Sequence, residues 1–170
     1  MVAIRAKVTS ARHLVTQTHN LKWDKKIVAH QMPVRDRYHQ NVKNALIKDG
    51  WTITDDPLHL KYGKKDMYVD LGAERLIAAQ KDTQKIAVEV KIFGSISEML
   101  DIEQAVGQYF VYLAVMSQKD PNRKLYIATH EDVFFNLFEE DPLGNLLLED
   151  YKIPFIIFNP TQEVIVKWIP

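Results

Sequence analysis

An aspartate, a glutamate and a lysine stand at a spacing that could build a catalytic metal site. Residues 87–93, "AVEVKIF", have the pattern of a β-strand, so Glu89 and Lys91 project from the same face. Asp70 lies in an earlier strand-like segment, and the short turn between the two segments predicts an antiparallel hairpin that brings it near Glu89. Two carboxylates and the backbone carbonyl of Val90 are the hard oxygen ligands that Mg²⁺ or Mn²⁺ accepts. Such a set supports metal-assisted phosphodiester hydrolysis, with Lys91 orienting or helping to deprotonate the attacking water.

A simpler explanation of the same residues stays open. A Glu-x-Lys pair on a strand is usually a solvated ion pair that adds little stability. Short motifs also recur by chance. The presence of Asp70 on a second strand-like segment, 19 residues before Glu89, favours the metal site over the isolated ion pair.

Three further side chains are candidates for supporting roles around this site. Asp66 and Glu74 share the strand parity of Asp70, although a bulge at Gly72 would reset the register for Glu74. His39, on the first predicted helix, could lean over the site or could belong to an ordinary polar helix surface.

A lysine-rich stretch is the candidate DNA-binding segment. Residues 59–65, "HLKYGKK", gather Lys61, Lys64 and Lys65 around Tyr62. They could grip backbone phosphates from a loop, or they could form a solvated turn. The chain has 22 basic and 22 acidic residues, and a formal net charge of zero argues against a protein that coats nucleic acid indiscriminately without excluding a local basic patch.

The elements that must position these residues alternate between helix and strand. Apolar residues recur at helical spacing before Gly50, and Ser95 with Glu98, or Ser97 alone, could cap a second, longer helix. We expect the apolar face of that helix to comprise Met99, Ile102, Val106, Tyr109, Phe110, Leu113 and Met116. The predicted elements are a helix at 34–49, a strand at 51–54, a polar connection at 55–66, strands at 67–80 and 84–93, a helix at 95–118, a strand at 124–130, a helical region at 131–150 interrupted around 142–144, and a closing hairpin at 154–170.

The resulting order, α-β-β-β-α-β-α-β-β, predicts an α/β protein of the α+β type, with helices packed on one mixed sheet. A length of 170 residues with 46% apolar residues suits a single domain, which we assign to residues 32–170. Residues 1–31 fit this pattern poorly and are interpreted as an extension outside the core, with an ordinary N-terminal arm as the alternative. The absence of cysteine excludes disulfides and thiolate metal sites. No apolar run is long enough for a membrane span, and we expect a cytoplasmic protein.

The Asp…Glu-x-Lys arrangement, with a helix before it and a helix and strand after it, resembles the PD-(D/E)xK nuclease superfamily. That resemblance implies a restriction-endonuclease-like core of order α-β-β-β-α-β, here followed by a further helix and two strands. It also implies metal binding by Asp70 and Glu89 and a catalytic lysine at position 91. Val69 stands where the superfamily name has proline. Gln108 and Tyr112 resemble the Gln-x-x-x-Tyr motif of the RecB-type branch, which braces the site or contacts DNA, although Tyr112 could also be a core-edge residue.

A narrower resemblance extends from Met32 to the end of the chain. The stretches "YHQNVKNALIKDGWTIT", "DMYVDLGAERLIAA", "KIAVEVK", "AVGQY" and "IVKWIP" resemble the XisH family, the fdxN element excision controlling factors. The resemblance implies a role in removing a DNA element together with a second small protein, XisI, and a site-specific recombinase. Nucleases of the fold often dimerise, so the chain could form a homodimer.

Three functions remain open within that resemblance. The first is an active Mg²⁺-dependent endonuclease, which the complete set of Asp70, Glu89 and Lys91 favours. The second is a catalytically silent DNA- or protein-binding accessory factor of the recombinase. The third is a toxin-like nuclease restrained by XisI.

Overall fold

The structure is a computed structural model that describes residues 34–77 and 82–170. The prediction for residues 1–31 lies outside these ranges. None of the helices within the described ranges is long and apolar enough to cross a bilayer. The helices are α1 (Val34–Lys48), α2 (Glu98–Lys119), α3 (Glu131–Phe134) and α4 (Pro142–Tyr151), with a π-helical turn (Phe135–Glu139) between α3 and α4. The strands are β1 (Thr52–Asp55), β2 (Leu58–Tyr62), β3 (Lys65–Val69), β4 (Leu71–Ile77), β5 (Asp82–Val90), β6 (Arg123–His130), β7 (Phe155–Asn159) and β8 (Val164–Ile169).

Six strands form one mixed sheet in the order β1-β4-β5-β6-β7-β8. Strands β1, β4 and β5 make an antiparallel meander, while β5, β6 and β7 run parallel, and β8 returns antiparallel to β7. The helix α2 provides the crossover from β5 to β6. This architecture confirms the predicted mixed sheet with packed helices and is consistent with a restriction-endonuclease-like fold.

The sheet separates two apolar cores, because alternate strand residues point to opposite faces. One core lies under α1, where Val42 and Leu46 pack with Ile86 and Val88. The other core lies under α2, where Ile102 and Tyr109 belong to the same buried cluster as Ala87. Glu89 has the parity of Ala87, so its side chain lies on the α2 face.

The predicted polar connection at 55–66 is wrong, because most of it is strand. Strands β2 and β3 pair as a separate antiparallel hairpin, with a left-handed glycine, Gly63, at its tip. Leu58, Leu60 and Val69 turn inward and join the core under α2. Alternation with the polar residues between them is the pattern of a half-buried strand.

The single strand predicted at 67–80 is also wrong, because it divides at Asp70. Residues before Asp70 belong to the β2–β3 hairpin, and residues after it belong to β4 in the main sheet. The described part of that segment ends at Ile77, and β5 begins at Asp82. Asp70 therefore occupies the junction where the chain passes from the hairpin into the sheet.

Of the two caps that the sequence offered for helix α2, the structure has Ser97, whose hydroxyl accepts a hydrogen bond from the Leu100 amide at 3.3 Å. Its predicted apolar face is only partly correct. Met99, Phe110 and Leu113 are exposed, because the sheet and the β2–β3 hairpin lie against a stripe displaced around the helix. The residues buried on α2 are Ile102, Ala105, Tyr109, Tyr112, Val115 and Met116.

The last third of the chain agrees with the predicted interruption and closing hairpin. Asp141 accepts hydrogen bonds from the amides of Leu143 and Gly144, so α4 starts afresh after the π-helical turn. Strands β7 and β8 then pair antiparallel.

Candidate metal-binding active site

The side chains of Asp70 and Glu89 lie close together at the carboxyl end of β5. The β2–β3 hairpin joins β4 at this same end of the sheet. The Val90 amide donates to Asp70 Oδ2 at 2.8 Å, and the Asp70 amide lies 3.4 Å from Glu89 Oε2. These reciprocal contacts fix the two carboxylates close to each other. Glu89 is only 2% exposed, while Asp70 is half-buried. A buried carboxylate beside a second carboxylate is electrostatically unfavourable unless a cation offsets it.

Lys91 supplies one such positive charge. Its Nζ lies 3.0 Å from Glu89 Oε1 and also donates to Gln108 Oε1. Gln108 Nε2 donates to the Tyr112 hydroxyl, which donates to the backbone carbonyl of Tyr68 at 2.8 Å. A line of hydrogen bonds thus runs from Glu89 across α2 to the base of the hairpin. Gln108 and Tyr112, one helical turn apart, hold the lysine in a defined orientation.

The charge of Glu89 is only partly compensated by this lysine. Burial raises the pKa of the Glu89 carboxyl, and the Asp70 charge raises it further, against the lowering effect of Lys91. The carboxylate form is therefore disfavoured relative to an exposed glutamate. An added cation beside the pair would favour the ionised form.

The donor set fits a hard divalent cation. The amide and carbonyl of one strand residue point to the same side, so the Val90 carbonyl faces the Asp70 side, to which its amide donates. Within the described ranges, no group of three or more His, Asp or Glu side chains is arranged around one point. The protein would therefore contribute Asp70, Glu89 and the Val90 carbonyl, and water would complete the coordination, as Mg²⁺ commonly permits.

A cleft of about 660 Å³ opens beside Lys91 and Gln108. It lies between α2 and the loop that follows β5, where the buried Phe93 adopts a left-handed conformation, φ 49°, and turns the chain away from the sheet. Gln104 and Asp101 also line this cleft and are not among the candidates predicted from the sequence. The sequence signal that identifies Gln104 is its position one helical turn before Gln108, on the same face of the helix.

The structure does not bring the other candidate acids and the histidine to the carboxylate pair. Glu74 pairs with Lys85 on β5, about 13 Å of strand from Asp70. Asp66 lies on the hairpin, where Oδ1 is 2.8 Å from His59 Nε2. His39 Nε2 lies 2.8 Å from Asp56 Oδ1, in a separate surface cluster.

The proposed DNA-binding residues occupy the end of the β2–β3 hairpin. Lys61 and Tyr62 close β2, Lys65 opens β3, and Lys64 lies in the connecting turn. All four are exposed. They stand on an ordered strand pair rather than on the loop expected from the sequence.

Comparisons with known proteins agree with this architecture. A family model described as XisH protein matches residues 32–166. The chain is 34% identical to a crystal structure of an XisH family protein from Nostoc punctiforme, with a TM-score of 0.71, covering 79% of this chain and all of that one. It is 36% identical to the structure of a fdxN element excision controlling factor protein from Anabaena variabilis, with a TM-score of 0.71, covering 80% of this chain and all of that one. The comparison with curated proteins gave no match.

Proposed function

The chain belongs to the XisH family, and from this premise we propose that it controls excision of a DNA element as an endonuclease that requires a divalent metal ion. The solved relative from Anabaena variabilis, described as an excision controlling factor, supports the first part. The observation that carries the second part is the meeting of Asp70 and the buried Glu89 at the end of β5, with Lys91 bound to Glu89.

Asp70, Glu89 and the Val90 carbonyl are the groups that would hold Mg²⁺ or Mn²⁺. The bound ion would stabilise the negative charge that develops on the scissile phosphate. The Lys91 ammonium has three N–H donors, and Glu89 and Gln108 account for two of them. The third can be directed at the attacking water or a phosphate oxygen, so Lys91 orients the reacting groups.

Gln108 and Tyr112 act as positioning residues in this proposal. Gln108 accepts from Lys91, and its own amide is fixed by Tyr112, which is itself bound to the Tyr68 carbonyl. This arrangement restricts the rotamers of a long, flexible lysine side chain before substrate arrives.

DNA is the proposed substrate, and the lysines at the hairpin tip are proposed to contact its phosphates. The hairpin from Leu58 to Val69 carries three lysines and one aspartate, which gives it a local excess of two positive charges in a chain of zero net charge. Such an excess near the site favours binding of a polyanion. The proposed partners in excision are an XisI-like small protein and a site-specific recombinase.

A second candidate function is that of a catalytically silent accessory factor that binds DNA or protein. It is favoured by the small number of acidic ligands, since the described residues place two carboxylates at the site and no group of three. Under this alternative, Asp70 and Glu89 would contribute to a binding surface without supporting turnover.

A nicking assay on supercoiled plasmid tests the leading proposal. Purified protein is incubated with Mg²⁺, Mn²⁺ or EDTA beside two matched variants. Asp70→Asn keeps an acceptor for the Val90 amide but removes the charge, and Asp150→Asn makes the same change on the exposed surface of α4. Cleavage by the parent and by Asp150→Asn, but not by Asp70→Asn or in EDTA, is the expected result. Intact plasmid in both metals would overturn the nuclease proposal, as would normal excision in cells that carry Lys91→Met.

A further inference from the structure

The β2–β3 hairpin displays aromatic rings on its solvent-facing surface. Tyr68 lies on the outward face and is 55% exposed. Tyr62 has the parity of Leu58 and Leu60 and extends beyond the core at the tip of the hairpin, where it is 54% exposed. The His59 ring stacks on Tyr68, with centroids 5.0 Å apart and planes 22° from parallel, and Asp66 holds the His59 ring through Nε2 at 2.8 Å. Burial in the core does not explain the Tyr68 and His59 rings, because the residues of the opposite parity, Leu58, Leu60 and Val69, are the ones that join the core.

The ring surface is rigidly connected to the proposed catalytic residues. The carbonyl of Tyr68 receives the hydrogen bond from Tyr112, the end of the line that begins at Lys91. Asp70 follows the last hairpin residue directly. Movement of the hairpin base relative to the site would therefore break these bonds, so a ligand on the hairpin is held at a fixed position relative to Asp70.

Lysines flank the rings. Lys61 shares the outward face with His59 and Tyr68 and is directly opposite Asp66. At the tip, Lys65 is opposite Tyr62 on the other face, and Lys64 lies in the turn. Exposed rings interleaved with lysines suit single-stranded nucleic acid, since rings stack on bases while ammonium groups contact phosphates. In a duplex, neighbouring base pairs cover the base faces, and only the base edges are accessible in the grooves.

We propose that the β2–β3 hairpin binds unpaired nucleotides, and that the DNA substrate carries a single-stranded segment beside the cleavage position. This inference rests on the proposed nuclease function for its second part only. Asp70 lies five residue steps of extended chain after Lys65, which corresponds to about 17 Å. At the spacing of nucleotides in a stacked strand, this distance corresponds to about five nucleotides between the hairpin tip and the metal site.

Fluorescence anisotropy on three labelled DNAs of common sequence tests the binding part: a single strand, a full duplex, and a duplex with a single-stranded gap. Binding is measured in Ca²⁺ at fixed salt, so that Mg²⁺-dependent cleavage does not deplete the substrate. Tyr68→Ala should weaken binding of the single strand and the gapped DNA by about 5- to 150-fold, the range of one lost stacking contact. Binding of the full duplex should change by less than about 2-fold.

Three controls separate stacking from other effects. Tyr68→Phe keeps the ring and should bind like the parent. Tyr151→Ala removes an equally exposed tyrosine, 59% exposed, from α4 and should also bind like the parent. A 2-aminopurine base in the single strand should change fluorescence with the parent and Tyr68→Phe but not with Tyr68→Ala. Equal losses for single strand and duplex, or no loss with Tyr68→Ala, would overturn the proposal.

The outcomes also distinguish the hairpin from the catalytic proposal. If the ring variants lose single-strand binding but the parent cuts no DNA, the hairpin assignment stands and the nuclease assignment fails. If the parent nicks DNA in an Asp70-dependent manner and Tyr68→Ala binds all three DNAs normally, the nuclease assignment stands and the hairpin assignment fails.

Discussion

Two glutamates in this protein occupy opposite electrostatic surroundings. Glu163, in the turn between β7 and β8, accepts hydrogen bonds from Asn44 at 2.9 Å and Asn41 at 3.2 Å and lies 3.5 Å from Lys48 Nζ. The Asn44 hydrogen bond, with those of Asn41 and Lys48, lowers the pKa of the Glu163 carboxyl. Glu89 faces a second carboxylate in a buried position, and its pKa is raised.

The difference separates a carboxylate that stabilises the fold from one that we propose to belong to a functional site. Around Glu163, three residues of α1 satisfy the charge and fasten the helix to the β7–β8 turn. Around Glu89, the protein leaves part of the charge uncompensated, although an apolar residue would be easier to bury there. Such an unfavourable arrangement is typical of functional positions, where stability is sacrificed for binding or catalysis.

Removing the lysine beside Glu89 should have the largest effect of these substitutions, and the quantity affected is the rate of DNA nicking. Lys91→Met keeps the length of the side chain but no donor, and we expect the rate of DNA nicking to fall by about 10²- to 10³-fold, the usual cost of losing one positioned hydrogen-bond donor. Metal affinity, measured by calorimetry, should change far less than the rate. Lys119→Met, an exposed substitution at the end of α2, is the matched control. A rate equal to that of the parent would place Lys91 outside the reaction.

Removing the partner carboxylate should abolish the response to metal. At a free Mg²⁺ concentration 100 times the dissociation constant, the parent should gain about 2.7 kcal/mol in free energy of unfolding. Asp70→Asn should gain almost none, whereas Asp150→Asn should respond like the parent. Thermal unfolding in Mg²⁺ and in EDTA measures both. A full metal response in Asp70→Asn would show that the ion binds elsewhere.

Neutralising Glu89 should stabilise the metal-free protein. A raised pKa means that the folded state binds the proton more tightly than the unfolded state, so the ionised carboxylate destabilises the fold above the folded pKa. Glu89→Gln should therefore raise the free energy of unfolding at pH 7 by about 1 kcal/mol, the size of a typical single-residue effect.

The gain from Glu89→Gln should disappear in acid, below the unfolded pKa, where the parent carboxyl is protonated in both states. Denaturant unfolding at pH 7 and in acid measures the difference. Glu149→Gln, on the exposed side of α4, is the control for loss of a negative charge. Destabilisation at pH 7 would mean that the ion pair with Lys91 outweighs burial and repulsion, and the contrast with Glu163 would fail.

Removing the Glu163 carboxylate should have the smallest effect on the free energy of unfolding. It should destabilise the fold, whereas neutralising Glu89 should stabilise it. The lowered pKa of Glu163 contributes stability that is present above the unfolded pKa and is lost as the pH falls through the folded pKa. Glu163→Ala should therefore lower the free energy of unfolding at pH 7 by no more than about 1 kcal/mol, since solvent screens this partly exposed group. The loss should vanish in strong acid. A pH-independent loss would indicate that packing, not charge, fastens α1 to the turn.

Local patterns predicted the elements that depend on nearby residues. Helix α1, the cap at Ser97 and the closing β7–β8 hairpin follow from periodicity and from capping and turn residues, and the structure confirms them. The resemblance to the XisH family is also confirmed. The pairing of β4 with β5 was predicted from a short turn, and it sets the neighbourhood of Asp70 and Glu89.

Features that depend on distant packing were not predictable in the same way. The lysines among residues 58–66 obscure the alternation of Leu58 and Leu60, so the sequence predicts a polar connection where most of the β2–β3 hairpin lies. The sheet, and not the hydrophobicity of α2, decides that Tyr112 is buried while Phe110 is exposed. Glu89 is buried because segments distant in the sequence pack around it, and no sequence spacing encodes that burial.

The position of the β2–β3 hairpin has an evolutionary consequence. Strands β1 and β4 are neighbours in the main sheet, with Asp55 paired to Gly72, so the hairpin is an excursion whose two ends return to almost the same place. Its length and tip can vary without disturbing the sheet, while the carboxylate at its root stays fixed. Under the proposed function, such variation would change the contacts with DNA and leave the carboxylate pair in place.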